Sequence, residues 1–267
     1  MEITGVDIFA FGCLFFIFSY FLYIVYYAIG LYDLNPFLKP TLLHEGEKHL
    51  LRQLIPMIKN LEEKEVNRFY KRVAWFRGKK TFIYKSRIEN QSTAELLICA
   101  AGILLTLGLK NYKFIRTVHK VIVYPSDYYS VINKKRHLGE YNLGLKTLVF
   151  AADSLKKGFE IDDDNLNLAL HEFAHALYFE TSGRSSWESL RFQWGFRKLT
   201  TLFEKLKEGG TMRGDGFFRS YATTNTFEFF SVVLEHFFES PLELKSRFPE
   251  IYHLVSKMLN FQYHRES

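Results

Sequence analysis

Thiols are scarce: in 267 residues only Cys13 and Cys99 occur, and both sit in apolar runs. Two cysteines make no disulfide framework, and without a Cys-x-x-Cys pair a thiolate-held structural zinc site is excluded. Internal repeats and low-complexity tracts are also missing, which excludes solenoid and disordered architectures. The net charge of +6 and pI near 9.1 come without any nucleic-acid-binding motif, so no nucleic-acid partner is expected. Much of the positive excess lies between Lys39 and Arg87, behind an apolar N-terminus. What the chain has in quantity is apolar and aromatic side chains, with 27 Phe and 16 Tyr, enough to build one sizeable core.

No charged residue interrupts Ile8 to Tyr32. As a helix this run extends about 37 Å, more than a hydrocarbon core of about 30 Å. A single transmembrane helix is expected, with the lipid bilayer as its partner. A cleaved signal peptide fits less well, because Glu2 and Asp7 replace the basic n-region and no small-x-small site follows. Lys39, Lys48, Arg52, Lys59 and Arg77-Gly-Lys-Lys on the downstream flank put the C-terminal domain in the cytoplasm by the positive-inside rule. Tyr20, Tyr23, Tyr26, Tyr27 and Tyr32 suit the headgroup level. Asn35-Pro36 and Lys39-Pro40 mark the exit.

The expected organisation is a transmembrane anchor over 1–34, a basic juxtamembrane linker with amphipathic helices over 35–90, and a catalytic domain over 91–267. Leu50, Leu54, Ile58 and Leu61 recur at helical spacing. Ser92 to Leu109 opens on a Ser-Thr-Ala-Glu capping pattern and is too short to span a membrane, so a central core helix is expected. Lys120-Val-Ile-Val-Tyr-Pro-Ser and Gly144-Leu-Lys-Thr-Leu-Val-Phe-Ala read as strands, the second with one solvated face; its edge is a place for an extended substrate. Beyond Asp162 the pattern is helical. The fold class is α+β: mainly helical, zincin-like, with a small sheet.

An apolar helical run preceded by acidic and Asn capping candidates from Asp162 carries His171-Glu172-Phe-Ala-His175, an HExxH sequence. Spacing of i, i+4 puts both imidazoles on one helix face, where they reach one zinc ion, with Glu172 placed to take a proton from an attacking water. The continuation HExxHxxGxxH is lacking, so a third ligand must come from elsewhere. Glu228 and Glu235 are the candidates: seven apart on an apolar helix, they share a face, one suited to ligate and the other to orient a histidine. Residue chemistry alone does not separate them.

Val121-Ile-Val-Tyr-Pro-Ser, Leu138-Gly-Glu, Asn165 to His175, Tyr221-Ala-Thr-Thr, Glu228 to Pro241 and Phe248-Pro-Glu-Ile-Tyr occur in an order and spacing that resemble the zinc peptidase family of Mlc titration factor A, a bacterial group of gluzincin type. The resemblance implies one Zn2+ per chain on His171, His175 and Glu228, Glu172 as general base, Glu235 beside the ligands, and Tyr221 hydrogen-bonding a developing oxyanion. It implies a metallopeptidase, with a peptide or protein substrate and aminopeptidase-like action. Because the founding member also binds a transcriptional repressor, a cytoplasmic regulator is a further expected partner. The competing reading is a zinc-containing, membrane-tethered binding protein that sequesters such a regulator without cleaving it. Ala176-Leu-Tyr-Phe-Glu-Thr-Ser-Gly, where the family runs on to Leu-Asp, is this chain's departure near the expected substrate cleft.

Overall fold

The computed structural model describes residues 5–28, 42–160, 164–209 and 217–262. It divides into an N-terminal unit, Met1–Thr41, and a larger one, Leu42–Ser267. Among the described residues the first holds α1, Gly5–Ala28. Residues 5–26 of it are long and apolar enough to cross a membrane, with none of that surface buried. That length and composition suit a single-pass anchor or a signal sequence. Tyr32 and the Asn35-Pro36 and Lys39-Pro40 exits lie outside the described residues, as does the side chain of Tyr27.

The larger unit is mainly helical around a small sheet, an α+β arrangement. Its first helices are α2 (Glu45–Leu54) and α3 (Glu63–Lys79), with a 3-10 turn, Pro56–Asn60, between them. Leu51, Phe69, Val73 and Phe76 on these helices are fully buried, the packing that amphipathic helices against a core require. Strand β1 (Thr81–Tyr84) follows, then α4 (Gln91–Leu105). Helix α4 is enclosed nearly all round, as its uninterrupted apolar sequence requires. Its cap is Asn90 in the left-handed region, φ 56°, two residues before the Ser92 at which the Ser-Thr-Ala-Glu pattern would place it.

Four strands form the main sheet in the order β1-β2-β6-β5, with β2 Lys120–Tyr124, β5 Gly139–Asn142 and β6 Thr147–Ala151. β1, β2 and β6 are parallel, and β5 closes the edge antiparallel to β6, Gly139 facing Phe150 and Asn142 facing Thr147. A hairpin of β3 (Tyr128–Ser130) and β4 (Lys135–His137) stands apart. The expected solvated face of the Gly144–Ala151 strand is absent. β6 lies inside the sheet and all five residues are buried, as continuous apolar strands are when both faces are covered. The exposed edge suited to a substrate is therefore β5.

Helices α5 (Ala152–Glu160), α6 (Leu168–Thr181), α7 (Trp187–Glu208), α8 (Thr226–Glu239), α9 (Pro241–Arg247) and α10 (Pro249–Leu259) complete the unit, with a 3-10 turn at Ser220–Thr223. α6 is its axis, packing on α4, α8 and the β5–β6 edge. Phe173 of α6 meets Phe76, Phe114 and Phe150 within 6.5 Å, and its ring approaches so closely that a Cβ on Gly102 would fall 2.7 Å from Cε1. Burying one such ring contributes about 1.5–3 kcal/mol. Aromatic and aliphatic packing on this scale holds the register between α6 and its neighbours, and hence the position of His171 and His175.

Candidate metal and catalytic site

Two asparagine caps aim the site. Asn167 Oδ1 accepts from Leu170 N at 3.1 Å and starts α6 just before the HExxH run, a role expected from Asp162 onward. Asp162 and Asp163 lie outside the described residues. Asn225 Oδ1 accepts from Phe227 N and Glu228 N, which fixes Glu228 in the first turn of α8, where the helix dipole favours a carboxylate.

His171, His175 and Glu228 converge: each offers an atom, and these lie within 4.8 Å of one another. Glu228 Oε2 is 3.0 Å from His171 Nε2, and Oε1 is 3.8 Å from His175 Nε2. Glu235, one heptad along α8, is 1% exposed, and its Oε1 lies 2.7 Å from His171 Nδ1. Its Oε2 accepts from Asn167 N at 3.0 Å and Arg219 Nη2 at 2.7 Å. A carboxylate so anchored takes a hydrogen from Nδ1 and leaves the Nε2 lone pair for the shared point. The two glutamates thus divide their work by depth: Glu228 faces both imidazole Nε2 atoms, and Glu235 faces the back of one ring.

Burial opposes charge on His171, but the hydrogen bonds to Glu228 and Glu235 outweigh it and push the imidazole up to about 10, so a metal ion would take the Nε2 lone pair only by displacing the proton that Nε2 shares with Glu228. Burial first, and then the neighbouring His171 charge, outweigh the opposing pull of Glu228 on His175, which falls to about 4 and stays neutral. Burial raises Glu172 to about 7, close to where a proton-transfer group is most effective. Its carboxylate is held against β5. A Cβ at Gly139 would lie 3.0 Å from Glu172 Oε1 and 2.6 Å from Leu168 Cδ1, so the glycine makes room for the acid. A cleft of 630 Å³ opens onto His171, Glu172 and Gly139, with Lys135, Lys157 and Arg219 among its walls.

Tyr221 belongs to the 3-10 turn before α8, and its side chain lies outside the described residues. The sequence offered Asn167 only as a capping candidate, and it did not mark out Arg219 or Gly139. Only the Leu138-Gly-Glu motif hinted at the last. It also missed Glu180, 1% exposed in the departing segment, which accepts from Arg116 N, Thr117 Oγ1, Asn111 Nδ2 and Arg184 Nη2. That carboxylate ties the loop before β2 to the end of α6.

The chain is 23% identical over 224 residues to Mlc titration factor A of Yersinia pestis (strain Pestoides F), covering 74% of this chain and 78% of that one. Mlc titration factor A of Yersinia pseudotuberculosis serotype O:1b (strain IP 31758) matches to the same extent. Residues 37–260 match the family described as glucose-regulated metallo-peptidase M90, a span that takes in all of α2 to α10 and the site just described, and the chain therefore belongs to that metallopeptidase family.

Proposed function

We propose that this protein is a membrane-anchored, zinc-dependent peptidase, with the anchor in residues 1–34. The observation that carries the reading is the approach of two imidazole Nε2 atoms and one carboxylate from a separate helix, with Glu172 alongside. Bonds of about 2.0–2.2 Å place the ligands of a tetrahedral zinc about 3.3–3.6 Å apart. The separations of 3.0 and 3.8 Å bracket that range, and a nitrogen-nitrogen-oxygen donor set suits the ion. His171, His175 and Glu228 would hold it. A zinc ion there supplies Lewis-acid polarisation of a peptide carbonyl and acidifies water to about 7.

The protein's own groups do the remainder. An extended peptide pairs with the open edge of β5 by main-chain hydrogen bonds, which brings its carbonyl beside Glu172. Glu172 takes the proton of the attacking water on its carboxylate and returns it to the departing amine nitrogen, a role suited to a group near 7. Tyr221, seven residues before Glu228, is assigned a hydrogen bond to the developing oxyanion. Helix α1 tethers the domain to the bilayer, and the basic flank downstream of it favours the cytoplasmic face.

A second reading draws on the name of the relatives, titration factor, which favours sequestration of a regulator without cleavage. Glu172→Gln separates the two. In the peptidase the variant keeps one zinc per chain by metal analysis and loses peptide hydrolysis by a factor of about 10²–10⁴. Unchanged cellular activity in that variant would instead identify a binding protein.

A further inference from the structure

On the outer side of α3, Lys64 and Lys71 line a groove with Glu63 and Arg68, and with Arg72, whose Nη1 is held by Thr106 O and Leu107 O. Arg68 is shared with a second cavity of 370 Å³, walled also by Arg191 of α7, Lys257 of α10 and Glu65. Three elements distant in sequence thus bring three cations to one space, against a single carboxylate 3.6 Å from Arg68 Nη2. Arg191 is fixed in place. Its Nη1 donates to Asn260 Oδ1 at 3.2 Å, while Asn260, in the left-handed conformation at the end of α10, donates from Nδ2 to Gly108 O at 3.0 Å. The only hydroxyl in the wall, that of Ser256, is spent on Phe261 O.

Arg191 Nε and Nη2 and Arg68 Nε are nonetheless buried with no hydrogen-bond partner among the described residues, although the Arg68 side chain as a whole is 40% exposed. Buried guanidinium donors left unmet cost free energy, and native folds rarely leave them so without an acceptor. The fork of an arginine matches a tetrahedral oxyanion bidentately, whereas the Lys257 ammonium acts as a mobile point charge. We propose that Arg68, Arg191 and Lys257 form a binding site for a phosphate-class oxyanion, with Lys64 and Lys71 steering it in. The anion is either free phosphate or the headgroup of an anionic lipid. The site is separate from the metal-binding residues and needs no catalytic activity.

The test uses the full chain in detergent micelles with inorganic phosphate as probe, against chloride at matched ionic strength, read by calorimetric titration and by the thermal midpoint. Saturable phosphate binding that chloride does not reproduce is expected. Arg191→Gln and Lys257→Gln should each weaken it, the arginine change about tenfold or more. Lys205→Gln, an exposed charge elsewhere on α7, should leave it intact. Because Lys257 is exposed, its variant keeps the test valid if Arg191→Gln does not fold. Repeating the titration in nanodiscs with and without phosphatidylglycerol identifies the source. A lipid occupant competes and lowers phosphate affinity only in phosphatidylglycerol discs; a soluble ligand binds equally in both. No phosphate effect beyond that of chloride, or an effect unchanged in Arg191→Gln and Lys257→Gln, overturns the site.

Discussion

Glu235 offers the sharpest test of how the site is held. Its carboxylate faces three donors: His171 Nδ1, Asn167 N and Arg219 Nη2. Glu235→Gln preserves the volume but must point its NH2 either at the imidazole or at the other two donors. If it points at the imidazole, Nδ1 becomes the acceptor and the ring hydrogen moves to Nε2, the atom 3.0 Å from Glu228 Oε2. The metal-facing lone pair is then lost. If it points the other way, Arg219 loses a charge-assisted partner and the start of α6 loosens. Removing such an outer partner typically costs about 10–100-fold in metal affinity, equivalent to about 1.4–2.8 kcal/mol. The assay is competition for zinc against a chromophoric chelator. Glu204→Gln, at an exposed carboxylate on α7, serves as control. A Glu235→Gln protein that folds normally and binds zinc within twofold of wild type would refute the tautomer argument.

Other perturbations follow the same logic. Glu180→Ala strands Arg184, Thr117 and Asn111 around a 1% exposed position, and because Arg184 is partly solvated the cost falls at the lower end of the range for broken buried pairs, about 3 kcal/mol. That is a fall of about 6–12 °C in Tm by calorimetry, with zinc content unchanged. Burial first, and then the charge of Glu235, raise Glu239 to about 9, so the folded protein holds a proton there that the unfolded chain releases from about 4.5 upward. Stability from this group is therefore lost as pH rises between those values, and Glu239→Gln should flatten urea-denaturation midpoints across that window. Gly139→Ala drives a methyl to 3.0 Å from Glu172 Oε1 and 2.6 Å from Leu168 Cδ1. Peptide turnover should drop by up to about 10²-fold with zinc still bound, while equal loss of both would mean the fold had failed.

Local patterns reached far in this chain because its chemistry is local on each helix. HExxH puts two imidazoles and a carboxylate within little more than one turn of α6, and the Glu228–Glu235 heptad puts two carboxylates on one face of α8. The uncharged run from Ile8 to Tyr32 specifies a span-length apolar helix by length alone, and the even apolarity of the α4 sequence specifies a buried one. What periodicity cannot carry is the distance between elements. Which glutamate meets both Nε2 atoms, and which supports a ring from behind, is decided by the packing of α8 on α6 through Asn167 and Arg219, 68 and 16 residues from Glu235. The burial of β6 depended on a neighbour on each side, and the role of Gly139 on a carboxylate arriving from another element. A single residue type states what a side chain can do; only the closed core, by fixing which surfaces exclude water together, states what it does it to.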